Sequence, residues 1–314
     1  MKHMFCVFVF LFSCSATAEM PSEATPTAEG ISGSYIHARE DSARGKEVVI
    51  YFHKPATFNP SSPVLLVIPG SGRNAWDYRD AWIKASEKYG VLIVSPHYSE
   101  KEYPMFWNYN IGGMLDEVKI NEARTGFKSF NIVKNPEDWI FRDFDAIFDE
   151  AARRFGANTR HYDMFGHSAG GQILHRFTLF QPHNKARRLV AANSGWYTVP
   201  RLDTPFPYGL KNSVVSQDHL KSAFKSDLVV FLGKLDNEHE TRGHLARNPD
   251  VDVQGTHRFS RGKYFFGEAR KVARQLGAEF NWTLVTIPDV GHDYRRMSAV
   301  AAVFLYGTED LSEH

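Results

Sequence analysis

YDMFGHSAGG, residues 162–171, is the stretch on which the reading of this chain turns. Tyr162 to Phe165 form a short run of the kind that makes a buried strand. Gly166-His167-Ser168-Ala169-Gly170 interrupts it, and AGGQILHRFTLF (169–180) then continues as a helix. Strand, tight turn and helix in that order is the setting in which Gly-x-Ser-x-Gly is mechanical rather than coincidental. The glycines allow the turn and its neighbours to approach closely. The serine is held on a strained turn with its hydroxyl above the sheet, and the following helix aims backbone N–H groups at the same place. Ser168 is the candidate nucleophile. The alternative is an ordinary Gly/Ser turn, and the rest of the chain decides between the two.

Outward from this stretch, short β-rich runs alternate with helical patterns. EVVIYFH (47–53), VLLVI (64–68), VLIVS (91–95), LVAAN (189–193), LVVFLG (228–233) and WTLVTI (282–287) join YDMF as predicted strands. Several are apolar on both faces, which suits a parallel sheet covered by helices. Helical spacing is predicted around 80–88, through Ile140, Phe144, Ile147, Phe148, Ala151 and Phe155, and through Phe265, Ala269, Val272, Ala273 and Leu276, with Gly277 as a stop. The pattern predicts an α/β fold with a mostly parallel central sheet flanked by helices. Residues 99–136 and 196–222 break the alternation. Both leave the C-terminal ends of predicted strands, where open α/β sheets build their sites, so they are read as pocket walls or a small cap.

The 314 residues and 43% hydrophobic content are ample for a large core, and 14% aromatics argue against disorder in the body of the chain. A net charge of +1 gives no case for nucleic-acid binding, which needs a clustered basic surface. Lys2 and His3, the apolar run MFCVFVFLF and the small residues ATA (16–18) have the parts of a secretory signal peptide, predicted to be cleaved after Ala18. The apolar run is too short for a permanent membrane span. LFSC (11–14) resembles a bacterial lipobox, which would make Cys14 a lipid-bearing N-terminus, though Phe12 fits it poorly. Cys6 and Cys14 are the two cysteines, so removal of this segment leaves no disulfide, Cys zinc site or Cys nucleophile. Polar residues 19–35 read as a flexible leader, with the folded domain predicted over 36–314.

With the elbow in this context, the chain resembles an α/β-hydrolase over essentially all of residues 36–307. That resemblance implies a triad in chain order Ser, acid, His. His292, in IPDVGHDYRRM after the last predicted strand, is the candidate base; of the 14 histidines it alone has this address. His167 lies inside the elbow and is expected to pack beside the nucleophile. The acid is assigned to Asp236, in LVVFLGKLDNEHE just past a strand and a glycine, with Glu238 as runner-up. Asp289 and Asp293 are too near His292 along the chain to reach its ring comfortably. The resemblance places the oxyanion donors at the backbone N–H groups of Ala169 and Ser71, with Gly72 next. Here Pro69-Gly70-Ser71-Gly72 occupies the place of the family's His-Gly-x-Gly, and Pro69 departs from it.

Such a set implies acyl transfer to water through an acyl-enzyme, with no metal or organic cofactor. NEHETRGH (237–244) lacks the His-Glu-x-x-His spacing of a zinc helix and reads as a solvated loop. Within the superfamily the GHSAGG elbow, the G-x-x-D acid, the terminal Gly-His and NSGWYT (193–198) resemble secreted esterases of the polyhydroxybutyrate-depolymerase and feruloyl-esterase type. No polymer-binding domain follows residue 307, so a small or medium ester is expected. Trp107, Trp196, Tyr197 and His167 are the candidate pocket residues, Trp and Tyr serving equally well as core aromatics. A peptidase or amidase, an acyltransferase, or a non-catalytic binding protein on the same scaffold are the readings left open.

Overall fold

The structure is a computed structural model and describes residues 25–27, 30–38, 47–123, 125–238 and 245–307. The strands are β1 (Thr25–Thr27), β2 (Gly30–Ala38), β3 (Glu47–Lys54), β4 (Val64–Ile68), β5 (Leu92–His97), β6 (Leu115–Ile120), β7 (Phe127–Ile132), β8 (Tyr162–His167), β9 (Ala186–Ala192), β10 (Asp227–Gly233) and β11 (Thr283–Ile287). The helices are α1 (Ala75–Ala81), α2 (Ile83–Tyr89), α3 (Phe106–Tyr109), α4 (Asp143–Phe155), α5 (Ala169–Phe180), α6 (Gln217–Phe224), α7 (Pro249–Asp252), α8 (Arg258–Gln275) and α9 (Tyr294–Tyr306).

Nine strands form one sheet in the order β1-β2-β3-β5-β4-β8-β9-β10-β11. The pairings from β5 through β11 are parallel, and β1, β2 and β3 extend the sheet antiparallel. Alternate residues of one strand reach opposite faces. Leu66 and Ile68 of β4 enter the core shared with α4, α5 and α8, whereas Leu65 and Val67 enter the core shared with α1, α2 and α9. Both faces of the central strands are therefore covered, which is why β4 and β8 are buried at every residue. Helix α4 buries Phe144, Ile147, Phe148 and Ala151 at helical spacing and ends at Gly156, whose φ of 77° closes the last turn. Helix α5 is buried at all twelve residues.

Two expectations are corrected. Residues 30–35, read as leader, are the first part of β2, which pairs with β3 from Ile31↔Lys54 to Ala38↔Glu47. The helical stretch around 80–88 is two helices that meet at Trp82. The segment 99–136 contains the antiparallel pair β6–β7, and 196–222 contains most of α6. The proposed signal peptide, with Cys6 and Cys14, lies outside the described residues, as do residues 239–244 of the NEHETRGH stretch.

Candidate active site

The parallel strands bring their C-terminal ends together, and the chemistry-bearing residues lie just beyond those ends. At the end of β8, Ser168 has φ 58° and ψ −112°, a conformation that L-residues rarely hold. Such backbone costs about 1–3 kcal/mol and persists only where the surroundings enforce it. The enforcement is visible. The Ser168 N–H donates to the Ala192 carbonyl at 2.9 Å, extending the β8–β9 ladder past the strand. A side chain on Gly170 would overlap the Ile68 carbonyl of β4, and one on Gly166 would come within 2.5 Å of the Gly170 carbonyl. Glycine at both positions lets α5 start directly against the strand ends.

Beyond β10, the turn after Gly233 buries Asp236 at 6% exposure, while Glu238 two residues on is exposed. Beyond β11, a turn carries the chain to His292. Asp293 then caps α9 by accepting from the Arg295 and Arg296 N–H groups, so the helix begins directly after the histidine. His292 Nδ1 donates to Asp236 Oδ2 at 2.8 Å, and Ser168 Oγ lies 3.1 Å from His292 Nε2. With the Nδ1 proton held by the carboxylate, Nε2 is free to accept the serine proton. The structure thus joins the three residues singled out in the sequence into one chain of hydrogen bonds. Arg258, also buried, donates to the other oxygen, Asp236 Oδ1, at 3.5 Å. It balances charge in a buried place, and its position on α8 gave no sequence signal.

Asn193 is a second residue that sequence reasoning missed. It is fully buried with φ 46°. Its Nδ2 donates to the Gly291 carbonyl at 3.0 Å, its Oδ1 accepts from the Gly233 N–H at 2.9 Å, and its own N–H donates to the Phe231 carbonyl at 3.1 Å. One side chain therefore ties the loop of the acid to the loop of the histidine. His167 is buried under His292, the ring centroids 4.6 Å apart, with Nδ1 3.4 Å from the Tyr78 hydroxyl. Burial, helped by His292 and Arg258, holds its imidazole well below the usual histidine range, so it stays neutral. It packs against His292.

The loop after β4 runs beside Ser168: a Cβ on Gly70 would lie 3.6 Å from Ser168 Cβ. Ser71 and Gly72 are exposed at this point. Ala169 opens α5, and the first N–H groups of a helix have no partner inside it. The loop is braced by Tyr109, whose hydroxyl donates to the Pro69 carbonyl at 2.8 Å, and by Tyr78, hydrogen bonded to Gly70.

A cavity of about 660 Å³ opens between the two irregular segments. Trp107 and Trp196 both line it, with Met105, Phe106, Phe127 and Tyr208. Asn248 closes one side by donating to the Thr125 carbonyl at 2.7 Å and to the Tyr208 hydroxyl at 3.1 Å. The buried Arg176 guanidinium stacks 4.1 Å from the Trp196 ring centre and fixes that wall. Tyr197 is a correction. It is fully buried, stacked on Phe265 at 4.5 Å and against His175, and so belongs to the core. Trp196, by contrast, lines the cavity.

No protein-family model matches the chain, and no curated protein matches it. Solved structures do. The chain is similar to poly(aspartic acid) hydrolase-1 from Sphingomonas sp. KT-1, with 34% identity, 86% of this chain and 97% of that chain covered, and a TM-score of 0.77. It is similar to the poly(3-hydroxybutyrate) depolymerase LpqC from Bordetella parapertussis, with 28% identity, 90% and 92% coverage, and a TM-score of 0.79. An S-formylglutathione hydrolase from Agrobacterium tumefaciens, 14% identical with 91% and 96% coverage and a TM-score of 0.55, shares the fold. On this likeness the chain belongs to the α/β-hydrolase superfamily and is an enzyme of its serine hydrolase class.

Proposed function

We propose that the enzyme hydrolyses carboxylic esters through an acyl-enzyme on Ser168, with His292 as base and Asp236 as the acid that orients it. His292 Nε2 takes the Ser168 proton as Oγ attacks the ester carbonyl. The tetrahedral oxyanion is received by the N–H groups of Ala169 and Ser71, with Gly72 beside them. Asp236 holds the imidazole tautomer and stabilises the imidazolium, which then gives its proton to the leaving alcohol. Water, activated by the same histidine, releases the acid. The observation that carries this reading is the unbroken Asp236–His292–Ser168 hydrogen-bond line, 2.8 and 3.1 Å, ending on a serine held at positive φ.

The aromatic lining of the cavity supports an ester that bears an apolar or aryl group. The signal-like N-terminus supports export. One observation favours a second reading, an amidase: the 34% identical neighbour is a poly(aspartic acid) hydrolase, and poly(aspartic acid) is joined by amide bonds. Turnover of matched ester and amide substrates by the purified enzyme separates the two. The ester is expected to be turned over in preference to the amide, and Ser168→Ala is expected to lower kcat by ~10⁴ or more with folding intact. Near-normal turnover by the variant would remove Ser168 from the mechanism.

A further inference from the structure

The serine-hydrolase reading above leaves open how binding in the cavity reaches the reacting bond, because Ser168 is not among the cavity's walls. Arg73 contacts both regions. This residue ends the loop that carries Ser71 and Gly72: its N–H donates to the Gly70 carbonyl at 3.0 Å, and its φ is 54°. Its carbonyl accepts from His97 Nδ1 at 2.8 Å, which pins the backbone to β5. Its side chain is buried at 4% exposure and spans to the segment after β5. There Nη1 donates to the Tyr98 carbonyl at 3.2 Å and the Tyr103 carbonyl at 2.6 Å, and Nη2 to the Met105 carbonyl at 3.3 Å. The guanidinium also lies 5.0 Å from the centre of the Tyr109 ring, the same tyrosine whose hydroxyl holds the Pro69 carbonyl.

Met105, Phe106 and Trp107 are the cavity wall on this side. One buried cation therefore grips the backbone that supports the wall while its own backbone closes the loop beside Ser168. A fork of donors in fixed geometry can hold three carbonyls at once; a lysine ammonium at the same place has neither the reach nor the planar fork.

We infer that Arg73 is a positioning and specificity-determining residue that couples occupancy of the Met105–Trp107 wall to the placement of the oxyanion donors. An ester whose acyl or alcohol group fills the cavity presses on the wall, and the wall, through the three carbonyls, sets Arg73 and the 70–72 loop. Binding energy from a remote part of the substrate is then expressed in kcat rather than in KM. Truncated esters bind at the same serine with the loop less firmly set.

The test is steady-state hydrolysis of p-nitrophenyl esters from acetate to hexanoate and benzoate, by wild type, Arg73→Lys and Trp107→Ala. In the wild type kcat rises as the acyl group comes to fill the cavity. In Arg73→Lys it falls on every ester, by at least tenfold more for hexanoate or benzoate than for acetate, with KM within about threefold. Trp107→Ala, which removes wall without touching Arg73, flattens the same series. Thermal melts and labelling of Ser168 by a small fluorophosphonate accompany the kinetics, so that a folded, activated serine is established for each variant. An equal loss on all esters, or a wild-type kcat that is flat across the series, overturns the coupling while leaving Ser168 labelled and the hydrolase reading intact. A wild type that neither labels nor turns over any ester fails at the earlier reading and takes the coupling with it.

Discussion

Asn193 links two loops with one amide. Asp236 follows β10 and His292 follows β11, and the backbone already joins the two regions through the Lys234 N–H to the Ile287 carbonyl at 2.8 Å and the Leu235 N–H to the Val290 carbonyl at 3.0 Å. The Asn193 side chain, donating to the Gly291 carbonyl and accepting from the Gly233 N–H, adds a further tie from β9. Asn193→Ala is expected to lower kcat by about 10- to 100-fold, since small displacements of reacting groups carry costs of that order, with KM little changed. Kinetics of the variant check this, and an unchanged kcat would show that the two loops hold themselves. The residue was not legible in the sequence. NSG reads as a turn, and the partners lie 98 and 40 positions away. Asp236 was picked out by resemblance, as the G-x-x-D carboxylate after a strand, with Glu238 as runner-up; the structure buries Asp236 and leaves Glu238 exposed, where the chain has turned outward. Tyr197 was misread because an aromatic beside a pocket residue looks the same as one in the pocket until the backbone direction is known.

Between strand and helix, the elbow depends on how closely α5 can approach β4 and β8. Gly170→Ala places a methyl group on the Ile68 carbonyl, backbone against backbone, where no rotamer change can relieve it. The expected outcome is a destabilisation of about 2 kcal/mol or more, from overpacking in a core that has no slack, together with loss of activity as Ser168 is displaced. Denaturant unfolding measures the first and ester turnover the second; wild-type values for both would mean that the helix start is more compliant than its packing indicates. The elements that could be read from the sequence are those with the strongest constraint. The continuous apolar runs of β4 and β10 follow from burial on two faces, and α4 from its buried stripe. Among the antiparallel strands β3 was legible, but β2, β6 and β7 were not. β2 buries only Gly33, Tyr35 and His37, so its first part, GISGSY (30–35), reads as polar leader, and β6 and β7 are largely exposed. A strand covered on one face, or on neither, needs no apolar run.

Across the whole molecule, the fold encloses histidines that it keeps uncharged. His167 lies under His292, and His175 lies in the core against Tyr197 and Phe265, accepting from the Thr198 N–H at 3.0 Å. Burial holds both well below the ordinary value of 6.5. Above that value neither chain state binds the proton and stability is unaffected. As pH falls below it, the unfolded chain takes up protons that the folded protein refuses, so stability declines by up to about 1.4 kcal/mol per pH unit for each group. Urea unfolding is therefore expected to give a lower stability at pH 5 than at pH 7.5. Equal stability would mean that these sites accept the charge. Hydrolysis as proposed requires an activated serine at the meeting of β8 and α5. Its most direct test is incubation of the purified chain with a fluorophosphonate probe and mapping of the modified peptide. Labelling is expected at Ser168, abolished in Ser168→Ala and weakened in His292→Ala. A folded protein that stays unlabelled, or is labelled elsewhere, would contradict it.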